Sequence, residues 1–211
     1  MDTGIAPKRG RGRPPKQRDG FSDTREALVR TGVEILTEKG FSATGIDEIL
    51  RRVGVPKGSF YHYFDSKEAF GSELIDRYAA YFARKLDHFF LDESRNPLER
   101  IEAFIANARH GMARHKYERG CLIGNLGQEM GALPEAFRAQ LMQVFADWQA
   151  RFEACLLAAR AAGEIPADAD CARLAACFCI GWEGAVLRAK LERDPVALDL
   201  FAGYFLSGLR H

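Results

Sequence analysis

The chain is expected to be all-α, with a small three-helix unit at its N-terminal end and a larger helical domain behind it. Three observations predict this. Apolar residues recur at helical spacing from residue 22 onward. No stretch alternates with the period of a strand. Gly and Pro fall where short and then long helices would stop and start. The length of 211 residues suffices for two such units, each with a core.

Residues 1–20 are rich in Gly, Pro, Lys and Arg, so disorder is expected there without a partner. A first helix is expected with Asp23 as its cap and Glu26 completing a capping box. It carries Leu28, Ile35 and Leu36 on one face, with Thr31 and Gly32 between them, and it stops at Lys39-Gly40. Thr44 is placed to cap a second helix, with the apolar stripe Ile46, Ile49, Leu50, Val53 and a stop at Gly54. Pro56 opens a very short third helix through Phe64. Asp65 or Ser66 caps a fourth. Breaks are expected at 92–97, at Arg119-Gly120 and at 131–134. Residues 135–162, 168–192 and 195–209 supply three further helices. The boundaries so drawn are 1–20 for a basic tail, 21–67 for the three-helix unit and 68–211 for the second domain.

Charge separates these parts. Residues 1–20 hold six basic and two acidic side chains; the other 191 hold 24 and 27. A +4 tail on a −3 body suits a polyanionic partner. Segment 21–67 is itself neutral, with seven of each sign. The five cysteines, Cys121, Cys155, Cys171, Cys177 and Cys179, form no CxxC pair, which argues against a disulfide framework or a zinc site. No apolar run is long enough to span a bilayer, so a cytoplasmic chain with reduced thiols, no cofactor and no membrane partner is expected. Cys155, Cys177 and Cys179 read as small buried hydrophobes.

Two short helices joined by a tight Gly-containing turn and braced by a third have the form of a helix-turn-helix. Its second helix enters the major groove of DNA. Lys57 and Ser59 can meet phosphates or base edges, Gly58 permits close approach, and Tyr61 and His62 offer polar tips. Phe60 and Phe64 point inward. By period alone these aromatics serve equally well as bundle core. The string from Thr44 through Lys57-Gly58-Ser59-Phe60-Tyr61-His62-Tyr63-Phe64 to Ser66-Lys67-Glu68 resembles the DNA-binding domain of TetR-family repressors, a likeness covering residues 24–70. The resemblance implies a homodimer binding double-stranded operator DNA through two reading heads. Thr44, Lys57, Gly58, Ser59, Tyr61, His62, Tyr63 and Lys67 would be its DNA-binding residues. It also implies a C-terminal domain that takes a small inducer and dimerises through its last two helices. In the tail, Arg11 and Arg13 of Gly10-Arg11-Gly12-Arg13-Pro14 resemble an AT-hook core; entry into a narrow minor groove and simple counterion release both stand as readings.

In the second domain, Arg119–Gly131 is glycine-interrupted, and its Asn125, Gln128 and Glu129 share a face. From the residues alone it reads as a loose helix start. Gly120-Cys121-Leu122 and Leu187–Leu191 resemble the corresponding segments of the electrophile-sensing NemR type. There a cysteine and a lysine form the sensing pair, and Cys121 and Lys190 fall on those positions. The longer strings Arg119–Gly131 and Ile180–Leu191 resemble the AcuR type, which controls acrylate and dimethylsulfoniopropionate metabolism. The resemblance implies an acrylate-like inducer. Cys121, Asn125, Gln128, Trp182, Arg188, Lys190 and His110 are the candidate ligand-binding or sensing residues. A nearby ammonium would lower the thiol's pKa. Reversible binding and covalent modification of Cys121, by alkylation or oxidation, are both open. An enzyme with Cys121 as nucleophile is disfavoured, because none of His62, His88, His110, His115 and His211 forms a catalytic signature with it. A ligand-free architectural DNA binder is the third class.

Overall fold

A computed structural model describes residues 18–209, so Arg11, Arg13 and the rest of the expected tail up to residue 17 lie outside the described residues. Among the described residues there are eight α-helices, one 3-10 segment and no strand. They run α1 (Arg18–Lys39), α2 (Ile46–Val53), the 3-10 segment (Lys57–His62), α3 (Lys67–Phe90), α4 (Pro97–Arg114), α5 (Leu122–Gln128), α6 (Glu135–Ala161), α7 (Cys171–Glu192) and α8 (Val196–Gly208).

The head consists of α1, α2, the 3-10 segment and the first turns of α3. Leu28, Ile35 and Leu36 of α1, Ile49 and Leu50 of α2, and Phe60 and Phe64 are all buried. Phe60 and Phe64 meet Phe70 of α3 edge-on, at 5.4 and 4.6 Å between ring centroids. Because α3 continues without a break to Phe90, it belongs to both units, and its Phe70 and Leu74 complete the head's core.

Several local expectations shift. α1 begins at Arg18, so Asp23 and Glu26 lie inside it and form no cap. The added turn carries Phe21, whose ring stands 4.6 Å from that of Tyr63. Thr44 does not cap α2; Gly45 holds that position. The Thr44 hydroxyl instead donates back to the Gly40 carbonyl (2.5 Å), one of the orphan acceptors at the end of α1. The third helix is a 3-10 segment for which Pro56 is the cap residue, not the first turn. Ser66, not Asp65, caps α3 by accepting from the Ala69 amide. Asn96 and Glu99 close a capping box at α4. The start of α7 is Cys171, three residues later than expected, where Asp170 caps it.

In the body, α6 packs on α3, α4 and α7, and α8 closes over α7. An aromatic seam fills the centre: Phe152 stacks on Phe178 (4.1 Å), which stacks on Trp182 (5.6 Å). Such pairs add about 0.5–1.5 kcal/mol each beyond area burial. Cys155 joins this core, but Cys177 is exposed and Cys179 only partly buried, because residues two apart on α7 face different sides.

Candidate DNA interface and ligand cavity

The 3-10 segment presents one face outward. Lys57 is exposed and pairs with Asp47 at 2.6 Å, which raises its pKa through that hydrogen bond and the adjacent charge. A Cβ on Gly58 would meet nothing within 4 Å, so no contact inside the protein requires glycine there. Tyr61 (68% exposed) and His62 face solvent, while Ser59 and Tyr63 are partly buried. Two candidates turn inward. Thr44 is buried, its hydroxyl committed to Gly40. The Lys67 ammonium donates to the Phe41 carbonyl (3.2 Å) and lies 4.5 Å over the Phe41 ring, so it braces the turn between α1 and α2.

The body contains a cavity of about 670 Å³ lined by α1, α3, α4, α7 and the segment leading into α5. Of the expected sensing residues it brings together Cys121, Trp182 and His110. The inner end is formed by Cys121, Tyr78, Trp182 and Glu183. The rim carries the cations Lys85 and Arg84 of α3, with His110 and His115 around α4 beside them; burial, with the neighbouring Arg119 and Arg114, lowers the pKa of His115. Burial lowers the pKa of Lys85, whose ammonium stands 5.9 Å from the centre of the Phe82 ring.

Cys121 is the N-cap of α5, its sulfur accepting from the Gly124 amide at 3.4 Å. Burial, and then the Glu183 carboxylate, push its thiol well above the ordinary range. Burial likewise raises Glu183 to about 7, against a smaller lowering by its hydrogen bond with Cys121. Tyr78 is raised by burial too, its side chain within hydrogen-bonding reach of Cys121 and the Leu122 backbone. Sequence reasoning missed Glu183 and Tyr78. The readable signal was one acidic residue in an otherwise apolar stretch of α7.

The expected pairing of Cys121 with Lys190 is absent. The Lys190 ammonium donates to the Thr37 carbonyl (3.2 Å) and to Asn125 Oδ1 (3.5 Å). Asn125 Nδ2 donates to the carbonyls of Leu36 (2.9 Å) and Thr37 (3.0 Å), and the Gly120 amide also reaches Thr37 (3.1 Å). These donors satisfy the last-turn carbonyls of α1 and suit the negative end of its dipole. One turn on, the Glu129 carboxylate accepts from the amides of Phe41 (3.0 Å) and Ser42 (2.7 Å). Asn125, Gln128 and Lys190 thus line a separate cleft at the junction of head and body. Gln128 is exposed and donates to the Gly124 carbonyl, while Arg188 pairs with Glu192 on the outer face of α7.

A helix-turn-helix head joined to a helical body with an internal cavity defines a DNA-binding transcriptional regulator. Two family models agree with that reading. "Bacterial regulatory proteins, tetR family" matches residues 28–74, and "Tetracyclin repressor-like, C-terminal domain" matches residues 97–205. The chain belongs to the TetR family, whose members are DNA-binding regulators and not enzymes. It is 53% identical over 199 residues to the transcriptional regulator AcuR of Cereibacter sphaeroides, covering 94% of this chain and 90% of that one. A crystal structure of a regulatory protein TetR from Rhodobacter sphaeroides superposes with a TM-score of 0.85 at 54% identity, over 87% of this chain and 97% of that one. The reduced form of Escherichia coli NemR gives 0.78 at 30% identity, over 89% and 97%. No described helix is long and apolar enough to cross a membrane.

Proposed function

We propose that this regulator is a homodimeric repressor that leaves its operator when acrylate, or a related small unsaturated acid, enters the Cys121 cavity. The observation that carries this is the position of α5. Its N-cap, Cys121, faces the cavity, while Asn125 and Glu129 of the same short segment hold the end of α1 and the turn into α2. α5 is seven residues, about 10 Å, long. A ligand that displaces its first turn therefore acts on the head directly. The effector must bind the released arrangement more tightly than the DNA-bound one, or nothing shifts.

An acid suits Lys85 and Arg84 at the rim, where the carboxylate would also find His110 as a hydrogen-bond donor; Arg188 and Lys190 lie elsewhere. The cavity is larger than acrylate requires, so the inducer class extends to longer unsaturated acids. Covalent modification of Cys121 is the second reading, favoured by the thiol's placement on the cavity wall. The dimer would form through α7 and α8, whose outer face exposes Ile180, Leu191, Leu200 and Tyr204 by 72–82%. The two heads would then address half-sites one helical turn, ~34 Å, apart. The test is an operator gel shift titrated with acrylate and longer unsaturated or saturated acids, in reduced and oxidised protein. Release by unsaturated acids at concentrations where saturated ones leave the complex intact supports the proposal; indifference to all of them refutes it.

A further inference from the structure

The environment of Cys121 poses a chemical problem. A nucleophilic thiol needs a cation or a base beside it. Among the described residues no cation is hydrogen-bonded to Cys121. None of the basic residues that line the cavity with it, Arg84, Lys85 and His88 of α3 and His110, Arg114, His115 and Arg119 around α4, is hydrogen-bonded to the sulfur, which accepts from the Gly124 amide. Glu34 of α1, also on the wall, is within ion-pairing distance of Arg119. What faces the thiol is Glu183 of α7, with Tyr78 of α3 alongside and Cys179 one turn earlier on α7.

Gly124 fixes this arrangement. A Cβ there would overlap Glu183 Oε2, and it would lie 3.3 Å from Glu183 Cδ and 3.5 Å from the Cβ of Cys121. The absent side chain is what lets the carboxylate lie against the first turn of α5, next to the thiol that caps it. A second feature points to a ligand. Glu183, Trp182 and Phe82 also line a small inner aromatic chamber. On its wall Trp148 is 94% buried, and its indole N–H has no hydrogen-bond partner among the described residues. An orphan donor of this kind is costly unless an acceptor arrives.

We propose that Glu183 is the proton acceptor that enables Cys121 to add to an electrophilic double bond held in the cavity. This rests on the proposal that the cavity admits an unsaturated electrophile. As the sulfur lone pair forms the C–S bond to the β-carbon, the thiol proton passes to the Glu183 carboxylate. The π pair of the double bond moves to the α-carbon and carbonyl. Glu183 then returns the proton to the α-carbon. The net change is addition of S–H across C=C, with no oxidant and no leaving group. Because the resting thiol is neutral, the same site reacts poorly with oxidants that require a thiolate.

The test is the rate of alkylation of Cys121 by acrylamide, an uncharged probe, read by peptide mass on the full chain without DNA; Cys177 is exposed and is mapped separately. For the wild-type protein the rate should rise with pH through an inflection near 7, where Glu183 ionises, and then level off. A rate that climbs tenfold per pH unit to pH 9 without that inflection overturns the proposal, whether or not any variant folds. Glu183→Gln should slow the reaction at pH 7.5 by about a hundredfold, the scale of a positioned base. A carboxylate that merely kept the thiol protonated gives the opposite result: its removal would speed alkylation, and that outcome also overturns the proposal. Adduct formation that depends on Glu183 supports it even where the alkylated protein still holds DNA, a result that would count against the regulatory reading alone.

Discussion

Gly40→Ala tests the junction between head and body. Gly40 ends α1 with φ +80°, a conformation that costs an L-residue about 1–2 kcal/mol. A Cβ there would overlap Glu129 Oε1 and come within 2.8 Å of Glu129 Cδ, so the carboxylate must leave the Phe41 and Ser42 amides. Each of those charge-assisted bonds is worth about 1.5–3 kcal/mol when buried. Ser42 is exposed and Glu129 only partly buried, so about 1 kcal/mol each is the fitting discount. The sum is about 3–4 kcal/mol, or a fall in Tm of roughly 6–16 °C for a chain of this size. The assay is thermal unfolding of Gly40→Ala, Glu129→Ala and the double variant. With Glu129 already truncated, Gly40→Ala should cost only its backbone strain, leaving a coupling of about 1–2 kcal/mol. A Tm for Gly40→Ala within a degree of wild type, or full additivity in the cycle, would refute the reasoning.

Three further outcomes follow from the same geometry. Lys57→Ala should weaken operator binding about equally across operator sequences and lower the slope of log affinity against log salt by about 1, as measured by anisotropy. Leu200→Glu, on a residue 72% exposed on α8, should convert the dimer to monomer in sedimentation; an unchanged mass would place the interface elsewhere. Glu183 bears on stability through its raised pKa. Its folded value of about 7 exceeds its ordinary 4.5, so its contribution is fully present below pH 4.5 and is lost as pH rises through 7. The loss is on the order of 3 kcal/mol. The stability of Glu183→Gln relative to wild type should therefore grow by that amount between pH 4.5 and 8, and parallel denaturation profiles would show that the carboxyl is not held as described.

Local patterning revealed the head because its signals are local. The stripe Ile46, Ile49, Leu50, Val53, the left-handed stops at Gly40 and Gly54, and the inward Phe60 and Phe64 depend on residues within a turn or two of each other. Where it misled, a distant partner decided. Thr44 has the chemistry of a cap, but the end of α1 offered its hydroxyl a carbonyl first. Asn125 and Lys190 are polar residues on glycine-rich or apolar segments, which suggested a ligand; nothing in their own neighbourhood tells that the last carbonyls of α1 lie across from them. Cys121 was recognised, but its partner was not. Lys190 is 69 positions away and Glu183 is 62, and only the packing of α7 against α5 decides which of them meets the sulfur.

Release of the head from DNA by an electrophile entering the Cys121 cavity can be measured directly. The most direct measurement takes a duplex enriched from random sequence by the full-length protein. It follows anisotropy during acrylate titration, with the Cys121 adduct quantified by mass at each point, for wild type and for Glu129→Ala. Specific binding should be lost with acrylate in wild type, and affinity should change much less in Glu129→Ala, where α5 no longer grips the turn into α2. Release that is equally complete in both proteins, or DNA binding that never responds to an unsaturated acid, would contradict it.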